Sequence, residues 1–109
     1  MDLDGTILEH NGYLHGEDKL LPGALKFAKK AYETGMLILM TARSEEYRTE
    51  TVLFLERAGI LYHAILFDIP IGERILINDK KPSGLKTAFA VNIERDKGID
   101  ISIVIDEDL

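Results

Sequence analysis

Two carboxylates stand one residue apart at Asp2 and Asp4, and Gly5 and Thr6 follow directly. On an extended segment alternate side chains share a face, so both carboxylates can look into one site where a strand ends. Gly5 lets the backbone turn sharply, and Thr6 can hydrogen-bond and fix that turn. One carboxylate can bind a hard cation and attack phosphorus while the other handles a proton. A calcium loop fits poorly. Counted from Asp2, Ile7 and Tyr13 occupy the places where such a loop needs its glycine and its glutamate.

Two more polar groups recur at comparable places. Thr41-Ala42-Arg43 follows the apolar run 36–40, and Asn78-Asp79 follows the run 74–77. The elements that must position them alternate. Residues 9–21 are polar, broken by Gly12 and Gly16, and read as a loop or small hairpin flap. A helix is expected from Pro22 to Thr34, burying Leu25, Ala28, Ala31 and Tyr32 and closing at Gly35. Residues 36–40 then read as a strand buried on both faces. Ser44 is placed to cap a second helix running to Ala58, with Glu45 and Glu46 in its first turn and Gly59 as its stop. Tyr47, Thr51, Phe54, Leu55 and Ala58 share one face of it. Strands are expected at 60–67 and 74–77, and strand-like segments at 87–93 and 100–105. Such alternation predicts an α/β fold with a parallel sheet and right-handed crossovers. Ligands of open α/β sheets bind beyond the carboxyl ends of the strands, where Asp2, Asp4, Thr41 and Asn78-Asp79 fall.

The Asp-x-Asp-Gly-Thr run, Thr41-Ala42-Arg43 and Asn78-Asp79, in this order, resemble motifs one, two and four of the haloacid dehalogenase superfamily. The resemblance spans nearly the whole chain. It implies a Rossmann-like α/β fold, mainly parallel, with helices on both faces of the sheet, and a Mg²⁺-dependent phosphatase. By this resemblance Asp2 attacks phosphorus to form an aspartyl-phosphate, and Asp4 serves as acid and then base. Mg²⁺ is held by Asp2, the backbone carbonyl of Asp4 and Asp79, with Asn78 beside them. Thr41 and Lys80 complete the catalytic set, Thr41 bonding a phosphoryl oxygen. Gly5, Thr6, Ala42 and Arg43 bind the substrate, a small phosphorylated molecule such as a sugar phosphate. The cation of motif three has no clear counterpart, since no lysine lies between Lys30 and Lys80. Arg74, Lys80 and Lys81 are the candidates, with Lys80 preferred because it follows the acidic pair. The stretch 75–96 is similar to small members linked to surface-polysaccharide biosynthesis. The alternatives are a catalytically silent binding or scaffold protein of the same fold, and another phosphotransfer chemistry of the superfamily.

Composition narrows the rest. The 109 residues form one small domain, 1–109, with a short flap and no large cap, so the open site is expected to take a bulky substrate or to be covered by a neighbouring subunit of a homo-oligomer. A net charge of −6 argues against a general nucleic-acid binder. With no cysteine there is no disulfide and no thiolate metal site. No apolar run is long enough to span a membrane and no signal peptide is evident, so a cytoplasmic protein is expected. Gly84-Leu85-Lys86-Thr87 is no phosphate-binding loop, since glycine does not precede the lysine and Asp79 stands at the first glycine's place. His10 and His15 read as surface residues of the flap, His63 as a satisfied structural residue, and Asp106-Glu107-Asp108 as a solvated tail. Only Met1 precedes Asp2, so the first strand is expected to be truncated, leaving a less stable and less active chain than one extended upstream.

Overall fold

The computed structural model describes residues 1–105; the acidic segment Asp106-Glu107-Asp108 lies outside the described residues. Within the span read as one domain, the residues group into two compact units. The first is Met1–Ile71 with Ile93–Asp100, and the second is Gly72–Asn92 with Ile101 onward.

The first unit is a small α/β assembly. It contains helices α1 (Ala24–Thr34) and α2 (Arg48–Ala58) and strands β1 (Ile38–Met40) and β2 (Ala64–Leu66). β1 and β2 pair in parallel, Ile38 opposite Ala64, Leu39 opposite Ile65 and Met40 opposite Leu66. Asp2 extends this ladder by a parallel bridge to Met40, whose N–H donates to the Met1 carbonyl at 2.9 Å. The segment expected as the first strand is therefore a bridge on the β1 side away from β2. Leu3, Ile7 and Leu8 from the N-terminal turn, Ala24 and Ala28 from α1, Leu39 from β1 and Leu55 from α2 are fully buried and form one core with Leu37 and Ile60.

The helices differ from expectation at their starts. α1 begins after Gly23, which has φ +77°, and not at Pro22. The buried stripe is set by Ala24 and Ala28, and Leu25 is exposed. Ser44 does not cap α2. A 3₁₀ turn over Glu45–Tyr47 intervenes, and the Glu45 N–H is taken by Asp68 Oδ2 at 3.2 Å, from the loop beyond β2. Gly59, at φ +81°, ends α2 as expected.

The strands are shorter than their apolar runs. β1 exposes Ile38 and buries Leu39, so it is not buried on both faces. β2 begins only at Ala64, because the Ile60 N–H still bonds the Leu55 carbonyl at 2.9 Å as part of the end of α2. Within the second unit, the run 74–77 is not a strand. Ile75, Leu76 and Ile77 are exposed and no strand pairing reaches them among the described residues. Neither 87–93 nor 100–105 is a strand. Their β-branched residues favour extended backbone, but that preference needs a ladder partner and a buried face to become a strand. Among the described residues no helix is long and apolar enough to cross a membrane.

Candidate functional site

The N-terminal turn is built around one carbonyl. Leu3 O accepts from the N–H groups of Thr6, Ile7 and Leu8 at 3.1, 2.9 and 3.0 Å, and Gly5 N–H donates to Leu8 O at 2.7 Å. Gly5 stands at φ +85°, and a Cβ there would sit 3.1 Å from the Arg95 side chain, so both the backbone and the packing favour glycine. The turn buries Leu3 and leaves Asp2 exposed and Asp4 half-buried, the pattern that alternation predicts.

Asp4 meets the residues that follow β1. The Thr41 hydroxyl, fully buried, donates to Asp4 Oδ2 at 3.4 Å and accepts from the Arg43 N–H at 3.1 Å. Thr41 is thus turned to Asp4 and to the backbone. The loop beyond β2 fixes this corner, because Asp68 N–H donates to Arg43 O at 2.8 Å and Ile69 N–H to Thr41 O at 3.0 Å.

Arg43 is the centre of the site and is only 2% exposed. Its Nε and Nη2 donate to Asp4, the Nη2 bond to Oδ1 being 2.8 Å. Its Nη1 and Nη2 donate to Asp18 of the flap at 2.9 and 2.7 Å, and Nη1 also reaches Thr51 Oγ1 of α2 at 3.0 Å. The guanidinium lies over the Tyr13 ring at 4.1 Å, and Tyr13 meets Tyr47 edge-on at 4.9 Å. A guanidinium has five N–H groups, and all five are taken here. Arg43, expected to face substrate, is committed to its own protein. Burial works to lower its pKa, but its hydrogen bonds to Asp18 and Asp4 and the charges of those carboxylates outweigh it and raise it further above the usual value. Burial, and then the Asp4 charge, push the Tyr13 phenol upward, so it stays neutral.

The flap is a hairpin, as expected. Leu8 bridges Leu20 antiparallel, Glu9 N–H donates to Lys19 O and Leu21 N–H to Ile7 O, each at 2.9 Å. An open cleft of about 740 Å³ lies between the flap and α2, with Arg43, Tyr13, Tyr47, Glu50, Phe54 and Arg57 among its walls. Ala42 is exposed and Thr6 half-buried. His63 is satisfied, its Nδ1 accepting from Leu37 N–H at 2.9 Å and its ring stacked on Tyr32 at 4.3 Å. His10 Nδ1 is buried without a partner among the described residues.

The first unit therefore brings together Asp4, Thr41 and Arg43, with Asp2 two residues from Asp4. Asn78, Asp79, Lys80, Lys81 and Arg74 belong to the second unit, where all five are exposed. There the Asn78 amide bonds Thr87 Oγ1, which in turn donates to the Asp79 carbonyl at 2.6 Å, closing a turn in which Lys81 N–H bonds Leu85 O at 2.9 Å. The oxygen donors expected for Mg²⁺ suit a hard cation. No group of three His, Cys, Asp or Glu placed to hold a metal ion occurs among the described residues. Asp18, Tyr13, Thr51 and Asp68 were not among the expected site residues. Asp18 offered only a carboxylate in a polar flap, and its contact with Arg43 is not local in sequence.

Comparison with protein-family models, with curated proteins and with solved structures gives no match for this chain.

Proposed function

We propose that this chain is a phosphatase of the haloacid dehalogenase type, hydrolysing a phosphomonoester through an aspartyl-phosphate at Asp2. The observation that carries the reading is the convergence of Asp4 with Thr41 and Arg43 at the carboxyl end of parallel backbone, with exposed Asp2 two residues before Asp4. Two carboxylates two residues apart can divide nucleophilic and proton-transfer work.

In the first step an Asp2 carboxylate oxygen forms a bond to phosphorus, the bond from phosphorus to the leaving oxygen breaks, and Asp4 supplies that oxygen with a proton. In the second, water attacks the mixed anhydride, Asp4 takes the proton from water, and phosphate leaves with Asp2 restored. Arg43 and Thr41 orient Asp4 for both transfers. Mg²⁺ is the cation the resemblance implies; within the first unit Asp2 and the Asp4 carbonyl would help to hold it, and it would neutralise charge where two anions approach. The substrate the resemblance implies is a small phosphorylated molecule such as a sugar phosphate, and the short flap suits either a bulky substrate or a cover supplied by a neighbouring subunit.

A silent binding protein of the same fold is the second reading. The commitment of Arg43's five donors to protein favours it, since none is left for a substrate. Phosphate release from an aryl phosphate and a panel of sugar phosphates, with and without Mg²⁺, separates the two. Mg²⁺-dependent release that falls by at least about a thousandfold in Asp2→Asn is the expected result. Phosphate and Mg²⁺ binding by a folded chain without turnover would overturn it in favour of the binding protein.

A further inference from the structure

We infer that Asp18 of the flap is a positioning residue for Asp4, acting through Arg43, so that closing the flap and orienting Asp4 are one event. The inference rests on the reading of Asp4 as acid and base.

The planar guanidinium presents two edges, and a carboxylate holds each in forked geometry. Asp4 takes the edge formed by Nε and Nη2, with bonds of 3.1 and 2.8 Å. Asp18 takes the edge formed by Nη1 and Nη2, with bonds of 2.9 and 2.7 Å. Both carboxylates therefore share Nη2. The side chain of Asp18 is 7% exposed and that of Asp4 is 16% exposed, so water competes weakly for either pair. Tyr13, also of the flap, covers the face of the guanidinium at 4.1 Å. Lifting the flap removes Asp18 and Tyr13 together and leaves a buried cation paired on one edge only. That is a costly state, because a buried charge that loses one partner is poorly repaid by the other. Conversely, Asp18 and Thr51 stop the guanidinium from rotating away from Asp4. A contact that merely pins the hairpin would behave differently, since changing Asp4 would then leave the flap as it was.

Thermodynamic coupling is reciprocal, which makes this testable without reference to activity. The Glu9 amide, bonded across the flap to Lys19 O, reports flap opening by hydrogen exchange, and the Leu39 amide in β1 reports global folding. Wild type, Asp4→Asn, Asp18→Asn and the double variant are compared as full chains. Each single change should speed exchange at Glu9 by about tenfold relative to Leu39, and the double should be no faster than the faster single, because both act on one guanidinium. Asp4→Asn leaving Glu9 at the wild-type rate, or two single effects that multiply in the double, would overturn the inference. Should Asp18→Asn fail to fold, Tyr13→Leu keeps both charges and should still speed Glu9, and an unchanged rate there counts against the coupling. Where phosphate release is found, Asp18→Asn should lower kcat with KM held, and an unaltered kcat overturns the inference. Absence of any turnover in wild type defeats the hydrolase reading alone, and the exchange comparison then decides this one.

Discussion

Leu39 in the first unit and Ile77 in the second come from runs that read alike, yet Leu39 is fully buried and Ile77 is 90% exposed. Both runs are apolar, and both end on a polar residue of the kind expected in a site. The difference lies in what surrounds them. β1 has β2 on one side and the Asp2 bridge on the other, and it packs against the core residues of α1 and α2. The 74–77 run has no such neighbours among the described residues. A continuous apolar run therefore marks a segment able to be a strand, while a ladder partner and a covering layer decide whether it is one.

Three experiments press on that contrast. The largest effect is expected at the centre of the first unit. Arg43→Ala leaves Asp4 and Asp18 buried without their cation, and should cost about 3–5 kcal/mol in chemical denaturation, enough to unfold a small chain. A loss under about 1 kcal/mol would mean that the triad is solvated and that the first unit owes its order to the core alone. Next comes a matched pair of truncations. Leu39→Ala should cost about 2–5 kcal/mol, and Ile77→Ala should stay within about 0.5 kcal/mol. Equal costs would erase the distinction between the two runs. The finest probe uses glycines of like backbone. Gly23 and Gly84 have φ +77° and +94°, but a Cβ on Gly23 strikes the Ile99 carbonyl while that on Gly84 meets open space. Gly23→Ala should lower stability by roughly 2 kcal/mol or more and Gly84→Ala by about 1 kcal/mol, which thermal melts would resolve.

What was legible in the sequence follows the same division. Signals that act locally held. Gly59 ends α2, the polar stretch with Gly12 and Gly16 forms a hairpin, and Gly5 turns the chain after Asp4. His63 was readable as structural because an imidazole in an apolar strand must find partners. The placement of Asp4 beside Thr41 and Arg43 was also legible, since strand ends in a parallel sheet gather there. Signals that depend on distant chain were not. Ser44 was a sound cap by type, but Asp68 reached the Glu45 amide instead. Arg43 has the residue type of a phosphate ligand, and only the fold reveals that Asp18 and Asp4 claim it from both edges. The runs 74–77, 87–93 and 100–105 carried strand propensity without a partner to realise it.

The return of the chain at Ile93–Asp100 has a topological consequence. Asp96 N–H bonds Gly5 O at 3.0 Å, Asp96 Oδ1 accepts from His10 N–H at 2.8 Å, and Ile99 N–H bonds Pro22 O at 2.8 Å. With Ile69 N–H bonding Thr41 O at 3.0 Å on the departing side, the stretch leaving at Ile71 and rejoining at Ile93 is an excursion whose two feet are held to the unit that carries Asp4. The entropy of closing such a loop grows only with the logarithm of its length, so doubling it costs about 0.6 kcal/mol. Insertion, deletion or a single backbone nick within Gly72–Asn92 would then fall on the excursion, while the clamp keeps the N-terminal turn and its carboxylates in register.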